Sequence, residues 1–102
     1  MENSQDHEPS ALVFEWNEVK AKANAAKHGV DFEEARTIFN DPQLLTFEDF
    51  YHSEHEQRYL SLGISSSGRL LIAAHTGEDN VIRLINCRPT TRRERRTYEE
   101  RR

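Results

Sequence analysis

Hydrophobic and polar positions follow two different periods along this chain, and the changes of period mark the predicted elements. Residues alternate from Leu12 to Trp16, with Phe14 on the same side as both, which predicts a short β-strand. Apolar residues then recur at helical spacing in two stretches separated by Gly29, which predicts two helices. Four later segments have the apolar, alternating pattern of strands: 44–48, 58–65, 69–76 and 81–88.

Capping residues set the ends of the two predicted helices. Asn17 can accept the first free N–H groups of the first helix, and Gly29 can close it in the left-handed conformation. Asp31 can cap the second helix, and Glu34 follows in the position that completes a capping box. The run Asn40-Asp41-Pro42 ends this second helix, because the residue before a proline disfavours helical geometry.

The last three predicted strands are joined by short links of turn residues, 66–68 and 77–80. Such links favour pairing of neighbours, so we expect an antiparallel meander. In the strand over residues 58–65 we expect one set of side chains to face the core and another to face solvent: Leu60, Leu62 and Ile64 inward, Tyr59 and Ser61 outward.

Together these elements predict an α+β fold, in which an antiparallel sheet is covered on one face by the two N-terminal helices, with a short C-terminal helix. Thr91 and Glu94 form the capping box of that last helix, whose one sizeable apolar residue is Tyr98. Since it buries so little, we expect it to be mobile alone and ordered by a partner. We expect residues 1–11 to be a disordered tail and residues 12–102 to form a single domain.

Charge is divided unevenly along the chain, whose formal net charge is −4. Residues 81–102 hold eight of the 14 Lys and Arg residues and three of the 18 Asp and Glu residues, a local charge of +5. Residues 1–80 carry −9. Because charges more than about 8 Å apart are largely screened at physiological salt, the local distribution decides what docks there. The C-terminal segment therefore predicts contact with phosphate or with an acidic protein.

Other features of the sequence indicate the cellular compartment and argue against a metal site. A lone Cys87 in a predicted buried strand is typical of a reducing cytosol, and no apolar run is long enough for a membrane span, so we expect a cytoplasmic protein without membrane contact. Residues 52–56 contain two His and two Glu, but without a distant third ligand they predict a polar loop; we expect no metal and no cofactor. We interpret Lys27 and His28 as cations that favour the dipole of the first helix.

Several short motifs, in matching order and spacing over roughly residues 12–100, resemble the BrnT family, the toxin half of bacterial type II toxin–antitoxin pairs. The motifs are Phe14-Glu15-Trp16, Lys27-His28-Gly29-Val30, Phe32-Glu33-Glu34-Ala35, Asp41-Pro42, His52-Ser53-Glu54, His75-Thr76, Arg83-Leu84-Ile85 and Arg92-Arg93-Glu94. The resemblance implies a fold similar to the RelE-type ribonucleases and an endoribonuclease activity that halts growth. It also implies neutralisation by a BrnA-like antitoxin whose ribbon-helix-helix domain binds operator DNA, so that the toxin reaches the operator only through the antitoxin.

RNA cleavage without a metal needs groups that move protons and groups that stabilise a charged phosphate. An imidazole suits proton transfer at neutral pH, and guanidinium groups suit the phosphate. We therefore predict His75, Arg83 and Arg88 as catalytic, since the strand ending at His75 precedes the strand that carries both arginines. Arg83 and Arg88 differ in parity, so a regular strand would point them to opposite faces. They can share a site only if Arg88 lies beyond the regular part of the strand.

The remaining cations are candidates for contact with RNA or with a partner. We predict RNA binding by Arg58, Arg92, Arg93 and Arg96, and antitoxin binding by Arg92, Arg95 and Tyr98. An alternative function stays open, in which the chain is a non-catalytic module that binds nucleic acid or protein through its basic C-terminal helix.

Overall fold

The computed structural model describes residues 11–101, which form one five-stranded sheet and three helices. The predicted N-terminal tail lies outside the described residues, except for Ala11. The strands are β1 (Val13–Glu15), β2 (Leu45–Glu48), β3 (Tyr59–Ile64), β4 (Leu70–Thr76) and β5 (Val81–Pro89). The helices are α1 (Glu18–His28), α2 (Phe32–Arg36) and α3 (Arg92–Glu100), with short 3₁₀ turns at Thr37–Asn40 and Phe50–His52.

The sheet is mixed, so the prediction of a wholly antiparallel sheet is wrong at one edge. Its order is β1-β5-β4-β3-β2, in which β2 to β5 form the predicted antiparallel meander while β1 pairs parallel with β5. Asn80, the residue before β5, explains this direction. Its carbonyl accepts from the N–H of Val13 at 2.7 Å, and its side chain donates to the carbonyl of Ala11 at 3.0 Å. Both strands therefore start at the same end of the sheet.

Local capping chemistry is as predicted at the start and end of α1. Asn17 accepts from the backbone N–H of Lys20 at 3.0 Å, and Gly29 has a left-handed φ of 69°. At α2 only half of the predicted capping box forms. Asp31 accepts from the N–H of Glu34 at 2.7 Å, but the Glu34 carboxylate turns away to bind the side chain of Arg69.

The main core lies on the sheet face that meets α2 and its 3₁₀ extension. Its largest wholly buried side chains include Phe32 and Ile38. A Cβ built at Gly63 of β3 would lie 2.9 Å from the carbonyl oxygen of Ile38, so residues of the same parity on β3 also face this way. Ser61 is one of them and is fully buried, which makes its predicted outward orientation wrong. Leu62, although 1% exposed, belongs to the opposite face.

Helix α3 contacts β3 and is held by more than the single predicted anchor. The Tyr98 hydroxyl donates to Asp41 Oδ2 at 2.5 Å, and the Arg101 guanidinium donates to the carbonyl of Gln43. Tyr98 and Arg101 lie on the side of the helix that also carries Glu94, which reaches β5. Polar contacts at both ends of α3 thus replace the burial that its sequence lacks. None of the helices within residues 11–101 has the length and apolar character needed to cross a membrane.

Candidate functional site

A β-bulge in β5 decides which way the candidate arginines point. Strand β4 pairs His75 with Leu84 but its neighbour Ala74 with Asn86, so Ile85 is the extra residue. Residues before and after the bulge therefore exchange parity, which explains why Leu84 and Cys87, three positions apart, both lie in the core. The same shift places Arg83 and Arg88 on one sheet face, the face opposite that core. The predicted parity conflict is removed without Arg88 leaving the strand.

His75 is separated from both arginines by the sheet itself. It alternates with Ala73 of the core and faces the same way, where it is 5% exposed. Its Nε2 shares a 2.8 Å hydrogen bond with the Ser61 hydroxyl, and its ring lies between Tyr59, stacked at 5.8 Å, and Phe39, edge-on at 5.1 Å. Burial lowers the pKa of His75 to about 4, so it is neutral at physiological pH. The predicted convergence of His75 with Arg83 and Arg88 does not occur.

Each of the two arginines pairs with a glutamate, but Arg83 makes one hydrogen bond to it and Arg88 makes two. Arg83 donates to Glu15 at 3.2 Å, and both side chains are more than half exposed. Arg88 instead makes a two-pronged bond with Glu94, 2.9 Å on each prong, which raises the pKa of Arg88 and lowers that of Glu94. Five positions along the bulged strand separate the two backbones by roughly 15 Å, so the two side chains start well apart on this face.

The other predicted RNA- and antitoxin-binding residues divide between two surfaces. Arg58 is partly buried at the start of β3, beside a depression of about 390 Å³ that also contains Glu54 and Glu56. The α3 cations Arg92, Arg93, Arg95 and Arg96 are all exposed. With 3.6 residues per turn, Arg92 and Arg96 lie on the side of α3 away from Glu94.

Tyr98 faces away from Arg92 and Arg96, because it is half-buried and bound to Asp41. Arg95 forms an i,i+4 pair with Glu99 at 3.5 Å. The exposed surface of α3 therefore carries its arginines together with Thr97, Glu99 and Glu100, and Tyr98 fixes the helix in place.

A groove that the sequence did not predict lies between α1 and β5, with a volume of about 530 Å³. Its lining residues are Lys20, Ala23, Asn24, Lys27, His28, Ile85, Asn86 and Arg88. None is acidic. The available signal was the spacing of Lys20, Asn24 and Lys27, which share one helix face at i, i+4 and i+7.

Asn24 attaches the groove wall to the sheet. It is 6% exposed, and its side-chain amide donates to the carbonyls of Val30, at 3.0 Å, and Cys87, at 2.8 Å. Its side-chain oxygen accepts from the N–H of Cys87 at 3.1 Å. Strand β1 pairs only with residues 81–83, so Asn24 occupies the edge of β5 that β1 leaves open. Buried amide hydrogen bonds on both sides of one residue make this a fixed joint.

The polar loop over residues 52–56 does not assemble a metal site in the described structure. His52 binds Asp49 at 2.9 Å, and no group of three or more His, Cys, Asp or Glu side chains within residues 11–101 is arranged to hold an ion.

Comparison with known proteins identifies the family. A family model described as the ribonuclease toxin BrnT of type II toxin–antitoxin systems matches residues 16–94. The 1.1 Å crystal structure of the Brucella abortus ribonuclease toxin BrnT matches with a TM-score of 0.62 at 18% identity, covering 80% of this chain and 100% of that chain, which establishes the similarity of fold. The comparison with curated proteins gives no match. The family match spans most of the chain, which therefore belongs to the BrnT family of ribonuclease toxins of type II toxin–antitoxin systems.

Proposed function

We propose that this chain is a growth-arresting toxin that cleaves RNA internally in the cytoplasm, without a metal ion, by proton transfer and cationic stabilisation of the phosphate. In such a reaction the ribose 2′-hydroxyl attacks its own phosphate. Preorganised donors aimed at the developing charge are usually the largest catalytic contribution. The single observation that carries the proposal is the bulge at Ile85, which turns Arg83 and Arg88 to one face.

These arginines suit successive phosphates of one RNA strand better than a single phosphate, because their backbones are roughly 15 Å apart. Arg88 uses three of its five N–H groups on Glu94 and Pro89, and the other two have no partner among residues 11–101. The exposed arginines of α3 extend the same positive surface beyond Glu94. His75 is not part of this surface, so its proposed role is structural.

The test is cleavage of labelled RNA by the purified chain in EDTA, alone and with translating ribosomes. We expect cleavage to persist in EDTA and to fall at least tenfold in Arg83→Ala, whose side chain is more than half exposed, so that we expect the variant to fold. Lys22→Ala, an exposed cation on α1, is the matched control. Binding without cleavage, weakening steeply with salt, would instead support the non-catalytic module.

Family membership implies an antitoxin partner as well as an RNA target. We propose that the antitoxin is BrnA-like, that it carries the ribbon-helix-helix domain that contacts operator DNA, and that it docks on the outward arginines of α3. Arg92 and Arg95 offer exposed guanidinium groups for its acidic side chains. Tyr98 contributes indirectly by holding α3 against Asp41.

Charge reversal tests this docking surface better than truncation, because removing α3 would also remove Glu94 and Tyr98 from their contacts. We expect the double variant Arg92→Glu, Arg95→Glu to weaken the toxin–antitoxin complex at least tenfold in titration calorimetry. Lys22→Glu should leave it unchanged. Equal antitoxin affinities for the double variant and Lys22→Glu would show that the antitoxin docks on another surface.

A further inference from the structure

The groove between α1 and β5 has an unusual charge for this chain. Acidic residues outnumber basic ones by 18 to 14, yet the groove is lined by three cations, Lys20, Lys27 and Arg88, by one imidazole, His28, and by no carboxylate. A cleft of one sign focuses the field and concentrates ligands of opposite charge. The chemistry of the lining therefore favours an anion with several phosphates.

Capping of the α1 dipole explains only part of this arrangement. A helix C-terminus carries about half a negative charge, which Lys27 and His28 complement. Dipole capping does not explain why Asn86 and Arg88, which belong to β5, also line the groove. Arg88 is paired with Glu94, but the two full positive charges of Lys20 and Lys27 still exceed the half charge of the helix end, so the groove stays attractive to anions.

The groove is built on a rigid base. Asn24 lies between Lys20 and Lys27 on α1, and its three hydrogen bonds to Val30 and Cys87 fix the helix to the sheet edge. The two lysines are seven residues apart, about 10 Å along the helix axis. This separation lets them contact different phosphates of the same strand, as proposed for the two β5 arginines.

We infer that this groove binds the RNA at its scissile phosphodiester, with Lys20, Lys27 and Arg88 on phosphate oxygens and His28 as the proton acceptor; the inference rests on the proposed ribonuclease activity. Arg88 links the groove to α3, since this residue lines the groove and its guanidinium binds Glu94. His28 is half-buried at the end of α1, next to the cations that hold the phosphate. Its imidazole can accept the proton, a role that His75 does not fill because it lies on the buried side of the sheet.

The reaction balances without any redox partner. The imidazole of His28 takes the proton of the 2′-hydroxyl as the 2′-oxygen bonds to phosphorus. The bond from phosphorus to the 5′-oxygen breaks, and that oxygen takes a proton from water. The products are a 2′,3′-cyclic phosphate and a free 5′-hydroxyl, and His28 returns its proton to solvent.

The first experiment separates chemistry from binding at His28. We expect His28→Gln to slow cleavage about 100-fold, the usual range for loss of a general base, while its RNA affinity and melting temperature stay within error of the unsubstituted chain. His55→Gln, an exposed histidine of the polar loop, is the matched control. Cleavage by His28→Gln at the unsubstituted rate, or products with a 3′-hydroxyl, would overturn the proposed role.

The second experiment tests the groove even if the purified chain cleaves no RNA. We expect Lys20→Ala and Lys27→Ala each to weaken binding of single-stranded RNA and to lower the slope of log affinity against log salt by about one. Lys22→Ala, on the same helix but lining a different surface with Glu18 and Glu33, should leave both unchanged. Equal binding by all three variants would overturn the site. Groove-dependent binding without cleavage by any form would retain the site and reject the ribonuclease activity.

Discussion

Glu94 binds Arg88 with both carboxylate oxygens while it completes the capping box of α3. The two prongs to Arg88 are 2.9 Å each, and one oxygen also accepts from the N–H of Thr91 at 2.9 Å. A single side chain thus joins the end of β5 to the start of α3. It also places a negative charge beside a cation of the proposed RNA surface, so stability and RNA affinity oppose each other at this position.

Removing the charge of Glu94 should therefore separate the two properties. We expect Glu94→Gln to lower the free energy of unfolding by about 1 kcal/mol, because a charge-assisted bond becomes a neutral one. We expect RNA affinity to rise several-fold, since Arg88 is no longer neutralised. Urea denaturation and RNA binding at two salt concentrations measure the two effects. Glu99→Gln, an exposed carboxylate of the same helix, is the control, and unchanged or weaker RNA binding by Glu94→Gln would contradict the expectation.

The joint at Asn24 should be one of the most sensitive positions in the chain. Asn24→Ala leaves a buried carbonyl and N–H of Cys87 without their partner, and we expect it to cost about 3 kcal/mol in unfolding free energy. Asn24→Asp should be no better, because a carboxylate cannot donate to Val30 or Cys87. Asn40→Ala, at an exposed asparagine, should change stability by less than about 0.5 kcal/mol. A small loss in both Asn24 variants would show that the amide does not secure α1.

The parts of the fold that sequence predicted correctly depend on near neighbours. The Asn17 cap, the left-handed Gly29 and the capping box at Thr91 all follow from contacts within five residues. The antiparallel meander follows from short links between strands. The alternation of side chains within β3 was also predicted correctly. The set that faces the helices was not, because Ser61 lies on that face and Leu62 is buried on the other.

The missed features involve residues distant in sequence or a single inserted position. Glu34 left its expected capping box for Arg69, 35 residues away, where a guanidinium offers a stronger bond than a helix N–H. The bulge at Ile85 cannot be read from a period of two, yet it decides where Arg83 and Arg88 point. The groove escaped notice because its walls come from α1 and β5, which only the fold brings together.

Stability in acid should depend on Glu34. Hydrogen bonds from Arg69, at 2.6 and 3.0 Å, are the largest cause that lowers its pKa from 4.5 to about 2, with Ser65 and Ser67 adding to them. A depressed carboxyl pKa stabilises the fold above pH 4.5, and that stability is lost as pH falls towards 2. Because Arg69 is 41% exposed and solvent screens it, we expect a loss on the order of 2 kcal/mol.

Urea denaturation between pH 6 and pH 2 measures this dependence. Glu34→Gln should be less stable at pH 6 and should show a flatter curve below pH 4.5. Glu33→Gln changes the neighbouring carboxylate, which is 72% exposed, and should follow the unsubstituted chain. Parallel curves for the unsubstituted chain and Glu34→Gln would show that the contacts with Arg69 do not persist in solution.

At higher pH, the stability of the fold should depend on the protonation of His75. Burial lowers its pKa from 6.5 to about 4, so the unfolded chain binds the proton more readily than the folded one. Stability is therefore complete above pH 6.5 and is lost as pH falls to about 4, by up to about 3 kcal/mol. His75→Phe keeps a ring between Tyr59 and Phe39 and should abolish this part of the curve, while Ser61 retains its 2.7 Å hydrogen bond to Thr46.

The same variant decides whether this imidazole takes part in RNA cleavage. Because His75 lies on the face away from Arg83 and Arg88, we expect His75→Phe to cleave RNA at pH 7 within twofold of the unsubstituted rate. His52→Gln, an exposed histidine bound to Asp49, controls for loss of an imidazole elsewhere. A folded His75→Phe without activity would mean that the sheet opens to expose this histidine during catalysis, and the proton acceptor would then be His75 instead of His28.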